Sequence, residues 1–163
     1  MNKLAVLEAS GGNIGELINE RLLKLKDSGA FIPTSVSGLP SFENGLKPDL
    51  LIIPACAERR GVSVPPTGSC GILLMPGSID APDGLKTAKV VSYGMSGKCC
   101  VTLSSIGETR SMLTIRREVP TLGGAILERQ ELPVRHKLRA EPEDTIAFSA
   151  ALLILGVSPD MLL

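Results

Sequence analysis

At 163 residues, 44% hydrophobic and 21% charged, the chain is sized for a single domain, residues 1–163, with a core of ordinary composition. Seventeen basic residues cancel seventeen acidic ones, and there is no Trp, one Tyr and three Phe. This excludes nucleic-acid binding, which draws on a basic field and stacking faces, and leaves no charge to steer the chain onto an anionic membrane.

The start, Met1-Asn2-Lys3 and a short apolar run that gives way to Glu8, reads as a first strand over residues 3–8 and not as a signal peptide. Without an export signal or disulfide-scaffold density, the four cysteines (Cys56, Cys70, Cys99, Cys100) are expected to be reduced thiols of a cytoplasmic protein. A turn-rich loop, residues 9–13, opens a helix. Ile14, Ile18, Leu22 and Leu25 recur at helical spacing with Leu17 beside them, while Glu20, Arg21, Lys24 and Lys26 face elsewhere. Asp27-Ser28-Gly29 stops it, Gly29 being suited to a left-handed cap.

Residues 30–37 read as a second strand that Pro33 confines to an edge. Residues 49–54 (DLLIIP) and 70–75 (CGILLM) are continuous apolar runs, the pattern of strands covered on both faces. Between them, residues 58–69 form an exposed excursion rich in Gly, Pro and charge. Residues 89–93 (KVVSY) are the next strand, stopped by Gly94. The pattern then changes: 101–106, 112–118 and 125–131, separated by short loops, read as an antiparallel ribbon.

Residues 142–155 read as a helix with an acidic start at Glu143-Asp144, with Ile146, Ala150, Leu153 and Ile154 toward the core and Gly156 at its end. Its apolar tail, residues 150–157, is the longest such run and is far too short to cross a bilayer. Continuous apolar strands mixed with amphipathic helices predict an α/β domain of three-layer, Rossmann-like build, mostly parallel with an antiparallel ribbon extension.

Residues 85–106 (LKTAKVVSYGMSGKCCVTLSSI) and 144–162 (DTIAFSAALLILGVSPDML) resemble two stretches of the central, ATP-binding domain of the Mur ligases. The first is similar to that domain's strand ending in an aromatic-Gly step, the second to its Ala-rich closing helix. Residues 71–80 and 3–25 fall where the family has a strand ending in Asn and acidic residues, and its strand, P-loop and helix.

The resemblance implies a shared fold, and its departures imply lost ligation. A P-loop reads GxxxxGK followed by Ser or Thr, its amides and Lys holding phosphates and its hydroxyl holding Mg²⁺. With Gly15 set on the last glycine, Glu16 stands where Lys belongs, Leu17 where Ser or Thr belongs, and Ser10 replaces the first glycine. No intact ATP/Mg site is expected, and the cofactor is left unknown.

Ser10-Gly11-Gly12-Asn13-Ile14-Gly15 still joins a strand to a helix, so its amides can receive an anion or nucleotide; the plainer reading is a tight turn without a ligand. The spacing Ser10-x-Gly12-x-x-Gly15 also fits a dinucleotide fingerprint lacking its first glycine. Cys56, near Arg59 and Arg60, is a candidate reactive thiol, against a strand-end Cys beside a charged loop. His136, the one histidine, is a candidate general base, against a polar connector. The remaining cysteines lack metal-ligand spacing and read as small buried hydrophobes, with no metal expected. Arg110, Arg116 and Arg117 on the ribbon are an anion site or members of surface ion pairs.

Three functions follow. The first is a degenerate, non-catalytic Mur-ligase-like domain that binds a protein partner, itself or a small anion. The second is a small enzyme using Cys56 or His136 in a cleft. The third is a structural homo-oligomer subunit.

Overall fold

The computed structural model describes residues 2–7, 13–27, 35–37, 47–55 and 68–163. The chain runs through β1 (Lys3–Val6), α1 (Ile14–Asp27), β2 (Ser35–Ser37), β3 (Leu50–Ile52), β4 (Gly68–Pro76), β5 (Leu85–Tyr93), β6 (Val101–Ile106) and β7 (Arg110–Ile115). A small pair, β8 (Val119–Pro120) and β9 (Ile126–Leu127), precedes β10 (Gln130–Arg135), α2 (Pro142–Ile154) and a closing 3-10 turn, Pro159–Leu162.

One large sheet has the order β10-β7-β6-β5-β4-β3-β1-β2. From β2 to β6 neighbouring strands are parallel, and β7 and β10 extend the sheet antiparallel. β8 and β9 pair separately. The α/β class, the mostly parallel sheet and the ribbon at one edge are those the sequence pattern predicts.

Alternation along the strands divides the core in two. Leu4, Val6, Leu50, Ile52, Ile72 and Leu74 point to one face, where they meet Ile14, Ile18, Leu22 and Leu25 of α1 and the apolar side chains of α2. Ala5, Leu7, Leu51, Ile53, Leu73 and Met75 point to the other. α1 and α2 lie on the first face. Among the described residues no helix covers the second face; there Ile79, in the connection 77–84, packs against the cluster.

That connection is short for its task. Gly68 pairs with Leu85 and Pro76 with Tyr93, so the chain must return along the full length of β4. The return is about 26 Å at strand rise, and the nine steps from residue 76 to 85 reach only about 31 Å when extended. A helix would not fit, and residues 77–84 form turns and an irregular stretch.

Two close approaches fix the register. Within β4, Gly71 N–H donates to Pro48 O at 3.0 Å and Ile72 N–H to Asp49 O at 2.8 Å. A Cβ on Gly71 would lie 2.7 Å from the Asp49 carbonyl oxygen, so no larger residue fits. At the end of β5, Tyr93 is 1% exposed and its hydroxyl reaches over β4 to donate to Ile53 O at 2.8 Å. The sheet's single phenol is thereby satisfied inside the core.

α1 starts where Asn13 O accepts from Leu17 N–H at 2.9 Å, with Glu16 in its first turn and Lys24 and Lys26 in its last, both favourable to the helix dipole. α2 opens with Pro142 and the acids Glu143 and Asp144. It closes in a Schellman arrangement: Val157 N–H donates to Leu152 O, Gly156 N–H donates to Leu153 O, and Gly156 has φ 95°. Unlike α1, α2 is buried nearly all round, because sheet, α1 and the β8–β9 pair enclose it; Leu122 N–H in that hairpin donates to Ile154 O at 2.8 Å.

The same hairpin explains a difference from the sequence reading. Residues 125–131 are not one strand of the ribbon: Ile126–Leu127 belongs to the side pair, and the strand against β7 is Gln130–Arg135. Pro133 is tolerated because β10 is an edge strand. β4 and β5 each start earlier than the apolar runs suggest. Residues 30–34 and 58–67 lie outside the described residues.

Gly71→Ala is expected to lower unfolding free energy by about 1–3 kcal/mol in a denaturant titration. Gly123→Ala, where the nearest non-neighbour atom to a new Cβ is 3.9 Å away, should stay within about 0.5 kcal/mol of the parent.

Candidate functional site

α1 and α2 pack on the same face of the sheet, and the chain leaving β10 passes beside them. Between these elements lies a cavity of about 470 Å³. Its apolar lining comes from Ile14 and Leu17 of α1, Phe148 and Leu152 of α2, and Leu162 and Leu163 near the end of the chain. Four cations stand around it: Arg21 and Lys24 on α1, Arg135 and Lys137 at the end of β10. Asp144, Thr145 and Ser149 add polar groups from α2. Arg21 also donates to the Met161 carbonyl, which ties α1 to the closing turn.

His136 lies on the same lining. Its Nδ1 is 2.9 Å from Lys137 O, and its Nε2 is 2.8 Å from Ser111 Oγ. A carbonyl oxygen can only accept, so Nδ1 carries the hydrogen, and the corresponding tautomer has its lone pair at Nε2. In that tautomer Ser111 Oγ–H donates to His136 Nε2. Backbone pairing holds both partners in place: Ser111 pairs with Val134 across β7 and β10, and His136 N–H donates to Thr109 O at 3.0 Å.

That polarity is the one a general base has toward a nucleophile. Ser111 is only 5% exposed, however, and is not part of the cavity lining. Its hydroxyl orients the ring and is not presented to a ligand. His136, singled out in the sequence, is thus on the cavity with a polar partner that the sequence did not reveal, since Ser111 lies 25 residues away and meets it only through strand pairing.

The first loop is described only from Asn13 onward. Asn13 is exposed and accepts the first helical hydrogen bond; Gly15 is buried in the first turn of α1; Glu16 is exposed. Ser10, Gly11, Gly12 and Cys56 lie outside the described residues, as do Arg59 and Arg60. Arg110, Arg116 and Arg117 are exposed on or beside the ribbon and do not line the cavity. The cavity's own cations were legible only as a 21/24 pair one helical turn apart and as the run Arg135-His136-Lys137.

A second hollow of about 190 Å³ lies at the carboxyl ends of β4 and β5, lined by Gly77, Asp80, Ser92, Lys98 and Cys99 among others. Cys99 fills the space against Gly77, where a Cβ would come within 2.5 Å of its sulfur. Burial pushes the Cys99 thiol above its ordinary 9.0, with backbone hydrogen bonds from Ser96 and Gly77 offsetting part of this and Cys100 and Glu143 adding to it. Burial likewise raises Cys70, offset in part by a hydrogen bond with Thr87. Both are protonated thiols at neutral pH and poor nucleophiles. Among the described residues no group of three or more His, Cys, Asp or Glu is placed to hold a metal ion, and no helix is long and apolar enough to cross a membrane.

No protein-family model matches the chain, and no curated protein matches it.

Ser111→Ala removes the donor to Nε2 and should cost about 1 kcal/mol of stability by denaturant titration, while imidazole ¹⁵N spectra should still show the Nδ1–H tautomer that Lys137 O holds. The thiols set an alkaline limit. Their folded values are raised, so above pH 9.0 the unfolded chain releases protons that the folded chain keeps, and stability falls as pH rises. Urea titrations from pH 8 upward should show a steeper decline for the parent than for a Cys70→Ala/Cys99→Ala variant.

Proposed function

We propose that this chain is a non-catalytic binding domain of Mur-ligase-like, Rossmann-like build, and that it binds a small anion carrying an apolar body in the cavity between α1, α2 and the end of β10. The carrying observation is the cavity's composition: among the described residues, an apolar lining with four cationic side chains and one acidic side chain, Asp144. A pocket of this size with a few placed charges is the usual form of a small-ligand site. Arg21 and Lys24 come from one wall and Arg135 and Lys137 from another, so an acidic group entering between them meets positive charge on two sides.

The lost ligase chemistry fits this reading. Where the P-loop resemblance places Lys, the chain has Glu16, whose charge repels a triphosphate at the helix start. Binding therefore falls to the cavity flank of α1. The small-enzyme reading retains His136 on that cavity, but among the described residues the hydroxyl that meets its Nε2, Ser111, is buried behind the ring.

The test uses 8-anilinonaphthalene-1-sulfonate, a sulfonate on an aromatic body, followed by fluorescence. One site per chain is expected, weakened about tenfold by Arg135→Glu/Lys137→Glu, since each exposed charge is worth up to about 1 kcal/mol. Both residues are exposed, so the melting temperature of the free variant should stay close to that of the parent. Probe binding that charge reversal leaves unchanged would refute the proposed site.

A further inference from the structure

We infer that the occupant of this cavity is an unbranched aliphatic acid, an alkyl chain ending in a carboxylate or phosphate, and not a nucleotide. The inference rests on the cavity being the binding site, and it names the class of ligand. A nucleobase needs a flat face to stack on and amide or backbone groups to read its edge. Among the described residues the lining offers two rings, Phe148 and the imidazole of His136, whose edge is engaged by Ser111 and Lys137, and no Tyr, Trp, Asn or Gln. Its remaining apolar surface is aliphatic: Ile14, Leu17, Leu152, Leu162 and Leu163. Such a surface packs methylenes and reads nothing on a polar ring.

The shape agrees with the composition. The cavity follows α1 from Ile14 to Lys24. At helical rise those ten steps measure about 15 Å, so the hollow is a trough along the helix and suits a linear body better than a compact one. Along α1 the character changes from apolar at Ile14 and Leu17 to cationic at Arg21 and Lys24, one turn apart at each step. An amphiphile has the same order, tail then head. The one acidic side chain among the described lining residues, Asp144, is in the first turn of α2, where helix amides favour its charge. It leaves an excess of positive charge for the head group.

The experiment is isothermal titration calorimetry of the whole chain with octanoate, decanoate and dodecanoate below their micelle concentrations. The matching alkyl phosphates form a second arm, and acetate, inorganic phosphate and ATP with Mg²⁺ serve as controls. The expected result is one site per chain, tightening about fourfold for each added methylene until the trough is filled. Leu17→Gln, a half-buried lining position, should flatten the dependence on chain length, and Lys24→Glu should weaken all chains together. Comparison of the two arms identifies the head group. Head groups that bind as tightly as the long chains would overturn the aliphatic inference and leave the anion-binding proposal standing. ATP binding more tightly than every chain, and sensitive to Lys24→Glu, would do the same. No binding by any of them would overturn both. Association only with phosphatidylglycerol vesicles, and not with free alkyl acids, would also overturn the inference.

Discussion

The middle strands β1, β3 and β4 bury apolar side chains on both faces of the sheet. Leu4, Leu50, Ile52, Leu73 and Leu74 are each fully buried, and they face opposite ways according to their position along the strand. A sheet centre of this kind loses its driving force if either face opens, because the apolar area it removes from water is on both. The placement of every other element answers to that condition. α1 and α2 close one face. On the other face the 77–84 connection lays Ile79 against Leu73, Met75 and their neighbours. The Tyr93 hydroxyl then joins β5 to the end of β3 across the intervening strand.

The cavity is a by-product of the same arrangement. Two helices on one face meet along part of their length, and the sheet beneath them continues into an antiparallel ribbon. The chain leaving β10 therefore arrives beside the helices, bringing Arg135, His136 and Lys137 to α1 and α2. Apolar floor and charged rim come from three distant parts of the chain. Ser111 contributes without lining the space: it holds the imidazole with its lone pair turned inward, so the ring closes the cavity's edge as a wall.

How much of this was legible in the sequence follows from the range of the interactions involved. The stripe Ile14-Ile18-Leu22-Leu25 and the apolar runs around Leu51 and Leu73 announce themselves, because helical and strand periodicity are local. The ribbon was legible as a change of pattern after Gly94. Its last strand was not, because Ala125-Ile126-Leu127 has the look of a strand and Gln130–Arg135 contains Pro133. Only the edge position of β10 and the anchoring of Leu122 to Ile154 decide between them, and both are tertiary facts. The candidate site was less legible still. Arg21 and Lys24 sit on the polar flank of α1, where charged residues are usually solvated. They become a site only because α2, more than a hundred residues on, leaves space beside them.

The stretched passage between β4 and β5 gives the fold a directional tolerance to changes of chain length. With about 31 Å of reach for about 26 Å of travel, the segment has slack of little more than one residue. Insertions there would bulge outward at small entropic cost. Deletions would draw the strands out of step, and a one-residue slip would turn Val91 and Tyr93 from the helix-covered face to the other. In descendants of this chain, residues 77–84 should therefore grow more freely than they shrink.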